Sequence, residues 1–179
     1  MTEIDAYAGS KVPFCRRWHV IAEIDLARLV ADHSGLEHMC RRLEAIADAL
    51  PDLPAPEETD WITAELDMLS RHNDAEDRLM EGLFRREARD PLARSVLDHI
   101  RGRHIACTVL GQDLVAALAP DPDAPVPTEP EALGYMLRCF FEGCRDAIAF
   151  EELAILALGG LRLTADARAL LVDRIARRS

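Results

Sequence analysis

No apolar run in the sequence approaches the roughly 20 residues that a helix needs to cross a bilayer. The N-terminal stretch MTEIDAYAGSKVPF has neither the basic start nor the apolar core of a secretory signal. Both absences point to a soluble, cytoplasmic protein. Basic charge is also scarce: 21 Lys and Arg stand against 32 Asp and Glu, a formal net charge of −11 with a pI near 5.0. General nucleic-acid binders and proteins of anionic membrane surfaces normally present a basic face, so no nucleic-acid or membrane partner is expected. Neutral, cationic or metallic ligands are, and nothing in the composition indicates a particular protein partner. The five cysteines, Cys15, Cys40, Cys107, Cys139 and Cys144, are an odd number without a C-x-x-C pair. That argues against a disulfide framework or a structural zinc site, and for reduced thiols packed in a core. A Gly-rich phosphate loop, a G-x-S-x-G elbow and a G-x-G-x-x-G turn are missing as well, which removes the common nucleotide-binding and α/β-hydrolase signals.

What remains is helical. Aromatic residues make up 5% of the 179 residues, and β-branched residues are sparse between the proline clusters PDLPAPEET (51–59), RDP (89–91) and PDPDAPVPTEP (120–130). The intervening segments are rich in Ala, Leu, Arg and Glu, so each reads as a helix. The first is expected from about Arg16 to Leu50, the second from Asp60 to Ala88, the third from Pro91 to Leu118 and the fourth from Glu129 to Leu158. Thr59 or Asp60 is placed to cap the second and Asp90 the third, while Thr128 with Glu131 spells a capping box for the fourth. Gly159 and Gly160 stop it. TADARALLVDRIARR (164–178) forms a short fifth helix with Thr164 as cap and Leu170, Leu171 and Ile175 on its apolar side. Long helices joined by short Pro-rich turns pack most simply as antiparallel neighbours. The expected fold is therefore all-α: an up-down-up-down four-helix bundle over 16–160, preceded by an extension over 1–15 and followed by a short C-terminal helix within 161–179.

Six histidines offer chemistry: His19, His33, His38, His72, His99 and His104. Residues at i+3, i+7 and i+10 share a helical face with residue i. From His33 these are Leu36, Cys40 and Leu43, and from His104 they are Cys107, Gly111 and Leu114, so both face inward. His72 shares a face with Ile62, Leu66 and Leu69 before it and with Leu79, Met80 and Leu83 after it, and carries Glu76 with it. His38, beside Arg41 and Asp48, faces out; His99 reads as a boundary residue, and His19 with Glu23 as facing solvent or a bundle end.

An internal echo adds to this. DHSGLEHMCRRLEAI from Asp32 aligns with RHIACTVLGQDLVAA from Arg103, placing His33 on His104. AEDRLM (75–80) resembles FEELAI (150–155), placing Glu76 on Glu151 and Asp77 on Glu152. A repeated helical hairpin would point His33, His72, His104, Glu76 and Glu151 at one central region. Buried carboxylates need cations or hydrogen-bond donors, and a divalent or trivalent metal supplies that compensation to both at once. Imidazole with carboxylate in a bundle interior suits iron, manganese or zinc.

These segments, with HNDAEDRLMEGLF on the second helix and FEELAIL on the fourth, resemble the hemerythrin, or HHE cation-binding, family over roughly residues 20–160. The resemblance implies a four-helix bundle holding a non-haem di-iron centre that binds dioxygen or senses oxygen, nitric oxide or iron. It implies that His33 and His72 bind one iron and His104 the other, with Glu76 and Glu151 bridging. Two histidines of the family pattern are absent: Ile100 stands at one position, and Ala147 or Asp146 at the other. Asp146, Cys144 and Cys107 are the candidates to supplement the set. The expected function is thus binding of one or two iron ions and of a small diatomic or reactive oxygen ligand, with no catalytic residue assigned. The alternative is a metal-free helical bundle serving as a regulatory or protein-interaction module. A ferritin-like oxidase is disfavoured because no histidine has a carboxylate three residues before it.

Overall fold

The computed structural model describes residues 20–118 and 128–178. Cys15, Trp18 and His19, and the extension over 1–15, lie outside the described residues. The fold is all-α: α1 (Glu23–Ala49), α2 (Pro56–Phe84), α3 (Pro91–Leu118), α4 (Pro130–Gly159) and α5 (Ala165–Arg178) pack against one another. None of the described helices is long and apolar enough to cross a membrane.

Proline at the first helical position fixes where three of these helices begin, because its locked φ suits the first turn and its missing N–H would have had no partner there. This corrects two expected caps. The second helix starts at Pro56 with Ala55 as N-cap, leaving Thr59 and Asp60 inside it, and it ends at Phe84 before a 3-10 turn at Glu87–Arg89. The fourth starts at Pro130 with Glu129 as N-cap and no side-chain cap bond, so the Thr128–Glu131 box is not formed. Within the described residues the first helix begins at Glu23, preceded by Ile21, which pairs with Leu163 in an isolated bridge. The Asp90 cap is as expected: its Oδ1 accepts the backbone N–H groups of Leu92 and Ala93, each at 3.0 Å. So is Thr164, whose hydroxyl accepts the N–H of Ala167 at 3.2 Å. Gly160 ends α4 at φ 47°, where a side chain would be strained, and a Cβ on Gly159 would sit 2.8 Å from Leu163.

The interior is divided along the helices. One apolar cluster gathers Met39, Cys40, Leu43, Leu66, Leu69, Cys107, Phe140, Cys144 and Ala147; a second gathers Leu26, Leu29, Met80, Leu83, Phe84, Ile100 and Ala154. On each of α1 to α4 a polar residue falls between the two: His33 on α1, Asn73 and Glu76 on α2, His104 on α3, and Glu151 with Glu152 on α4. Asn73 fixes the register of two of these helices, its amide donating to the His104 carbonyl at 3.1 Å and to the Thr108 hydroxyl at 3.0 Å.

Candidate metal centre

His33, Glu76 and Glu151 place ligand atoms within 4.8 Å of one another, and together they could hold a metal ion; no other such group occurs among the described residues. The five residues singled out by helical face and echo do meet. Glu76 Oε1 lies 2.9 Å from His33 Nε2 and 3.1 Å from His72 Nε2, while its Oε2 lies 3.4 Å from His104 Nε2. Glu151 mirrors this, with Oε2 at 3.1 Å from His33 Nε2 and Oε1 at 2.6 Å from His104 Nε2. Each carboxylate therefore spans two donor groups. One comprises His33, His72, Glu76 Oε1 and Glu151 Oε2; the other comprises His104, Glu76 Oε2 and Glu151 Oε1.

Each imidazole turns its Nδ1 toward a second carboxylate. His33 Nδ1 donates to Glu152 Oε1 at 2.9 Å, His104 Nδ1 donates to Asp77 Oδ1 at 2.9 Å, and His72 Nδ1 stands 3.7 Å from Asp32 Oδ2. These outer carboxylates are in turn held by arginines. Arg174 and Arg178 of α5 both reach Glu152 Oε1 at 2.8 Å, Arg101 approaches Asp77 at 3.6 Å, and Arg28 approaches Asp32 at 3.5 Å. A carboxylate on Nδ1 fixes the tautomer and presents Nε2 inward, the arrangement seen behind metal-bound histidines.

Charge distribution follows from these contacts. Burial opposes a charge on His33, but its hydrogen bonds with Glu151, Glu152 and Glu76 outweigh burial and hold its pKa well above the usual imidazole value. Burial acts the same way on His104, where Glu151, Glu76 and Asp77 prevail and raise it to about 9. Burial alone would push Glu76 up; His33 and His72 overcome it and hold the carboxyl at about 2. Glu152, with His33, Arg178 and Arg174 around it, is likewise held at about 2 against its burial. The shifts on His33 and His104 thus favour their charged forms beside the inner carboxylates.

The remaining candidates lie elsewhere. The Asp146 side chain is 80% exposed, 3.7 Å from Arg103. Cys107 and Cys144 are buried in the first apolar cluster, where hydrogen bonds with the free thiols of Cys107 and Cys40, together with burial, push the Cys144 thiol well above the usual thiol pKa. Ile100 and Ala147 are buried in the second and first apolar clusters respectively. His38 is exposed and edge-on to Trp61, and His99 is exposed and packed on Phe150.

Asp32, Asp77 and Glu152 are members of the site that sequence reasoning passed over. The signal was present in the echo, which aligned Asp77 with Glu152 directly after the two inner carboxylates. Substituting Asp77 by Ala is expected to weaken metal binding by about 10–100-fold, the usual cost of losing such a partner; a competition titration against a chelator reads it. The chain matches no family model, no curated protein and no solved structure. Chemistry at the cluster therefore carries the functional argument: an all-helical protein with a buried histidine and glutamate group able to hold a metal.

Proposed function

We propose that the protein is a hemerythrin-like, non-haem iron-binding protein, its helices α1 to α4 running up-down-up-down, that binds or senses dioxygen or a reactive oxygen species. One observation carries this reading. His72 Nε2, Glu76 Oε1, His104 Nε2 and Glu151 Oε1 are buried and turned toward one region, where they face one another as His–Glu pairs at 2.6–3.1 Å without a well-directed hydrogen bond. Buried polar atoms without a well-made hydrogen bond are costly, and a cation at the point where these four converge would satisfy them together. With neutral imidazoles the inner set carries two negative charges, which suits a divalent ion, and nitrogen with carboxylate oxygen suits iron.

The donor set fits two inequivalent positions. His33, His72, Glu76 and Glu151 offer four donors to one ion, whereas His104 with the same carboxylates offers three to a second. Ile100 and Ala147 add apolar surface where further donors would be needed, so the second ion binds more weakly. Bound iron supplies coordination positions open to oxygen ligands. The protein's residues orient the imidazoles, exclude water through the two apolar clusters, and take up or release protons at His33 and His104. The test is anaerobic reconstitution with ferrous iron: retention of one iron or more per chain, with near-ultraviolet ferric absorption on exposure to air, supports the reading, and retention well below one overturns it.

A second reading has its own support. His33 donates from both ring nitrogens, to Glu152 and to Glu151, which is how a protonated histidine would close a metal-free polar core. A regulatory or interaction module of that kind would melt at the same temperature with and without iron.

A further inference from the structure

The cluster is enclosed unevenly. α4 packs closely on α1 and α3, and α3 on α2, but α1 and α2 meet more loosely. Among the five inner side chains His72 is the most exposed, at 14% against 0–6% for the rest. Two surface clefts of about 360 and 350 Å³ lie side by side along this seam. One reaches His72 and the other Glu76, and both are bordered by Arg28, Asp32 and Ala75. The exposed Arg28–Asp32 pair, 3.5 Å apart, forms the shared rim between them. Small residues keep the seam thin: Ala31 and Gly35 on α1 face Ala75 on α2, and a Cβ added at Gly35 meets nothing within 4 Å.

We propose that the α1–α2 seam is the entrance to the centre, admitting metal ions and small ligands to His72 and Glu76. The Arg28–Asp32 pair lies along the α1 side of its mouth. What enters rests on the metal reading above; where it enters rests on the packing alone. Opposing charges at the rim (Arg28, Arg71 and Arg78 against Asp25, Asp32 and Glu65) leave neither sign of ligand strongly repelled.

Filling the seam tests this. The double variant Gly35→Leu/Ala75→Leu places two side chains in it, leucine being a better helix former than the glycine at 35 and close to the alanine at 75. Arg28→Ala removes half of the rim, and Ala149→Leu on the exposed α4 surface is the control. In the metal-free full-length chain, reaction of His72 with diethyl pyrocarbonate is expected to slow at least tenfold in the double variant and to quicken in Arg28→Ala. In the iron-loaded chain, extraction by a chelator and binding of azide should slow by a similar factor, with the iron content at equilibrium unchanged. Unaltered rates in a folded double variant overturn the entrance. If iron is not retained by any variant while the His72 reaction still slows, the metal reading fails and the entrance stands.

Discussion

Replacing His33 by alanine is expected to cost the metal-free protein about 3–5 kcal/mol, the usual penalty for removing one partner from a buried ion pair. His33 is fully buried and contacts three carboxylates at once, Glu76, Glu151 and Glu152. Its removal leaves all three facing one another without that cation. Total stabilities of folded domains are about 5–15 kcal/mol, so the variant would be partly unfolded or would protonate its carboxylates at neutral pH. Urea denaturation at pH 7 measures the effect; a loss below about 1 kcal/mol would mean that His33 does not compensate the inner charge. Iron retention should fall in the same variant, because both donor groups share the carboxylates that His33 positions.

The second large effect is stabilisation by ferrous iron, and it should depend on pH. In the metal-free chain, His104 has its pKa raised to about 9 and His33 is raised in the same direction. A raised folded pKa gives stability that is fully present below the unfolded value of about 6.5 and is lost as pH rises through the folded one. Glu76 and Glu152, depressed to about 2, give stability that is present above about 4.5 and lost as pH falls toward 2. The metal-free protein should therefore be most stable between about pH 4.5 and 6.5. Iron needs neutral imidazole, so it competes with the protons on His33 and His104, and its affinity should rise by up to about tenfold per pH unit for each proton displaced. At a free metal concentration of roughly 1,000 times Kd the gain is about 4 kcal/mol. For a chain of this size that corresponds to a rise in melting temperature of about 10 °C. Anaerobic thermal scans should show a larger rise at pH 8 than at pH 6; a rise that is flat or shrinks over that range contradicts direct ligation by these histidines.

Much of this was legible in the sequence because a helix repeats its face every few residues. His33, His72, Glu76, His104 and Glu151 each lie on an apolar stripe, and burial at that stripe is what brings them together. Asp77 and Glu152 were not legible in the same way. Each follows an inner carboxylate by one residue, about 100° around the helix, so a single-helix reading turns them away from the centre. Their partners in the cluster come from other helices, His104 for Asp77 and His33 for Glu152. Arg174 and Arg178 were hidden for a similar reason: on α5 alone they look like a solvated face, yet they reach across to the fully buried Glu152. The helix starts at Pro56 and Pro130 differ from the expected caps because proline at the first helical position competed successfully with nearby Thr and Asp.

Metal content tests the central claim most directly. The purified chain, loaded anaerobically with ferrous iron and freed of excess by gel filtration, is expected to keep at least one iron, with a second lost more readily. The His72→Ala/Glu76→Ala variant should keep almost none. An unaltered chain that holds well under one iron, or a double variant that holds as much as the unaltered chain, would contradict the assignment of this cluster as a metal centre.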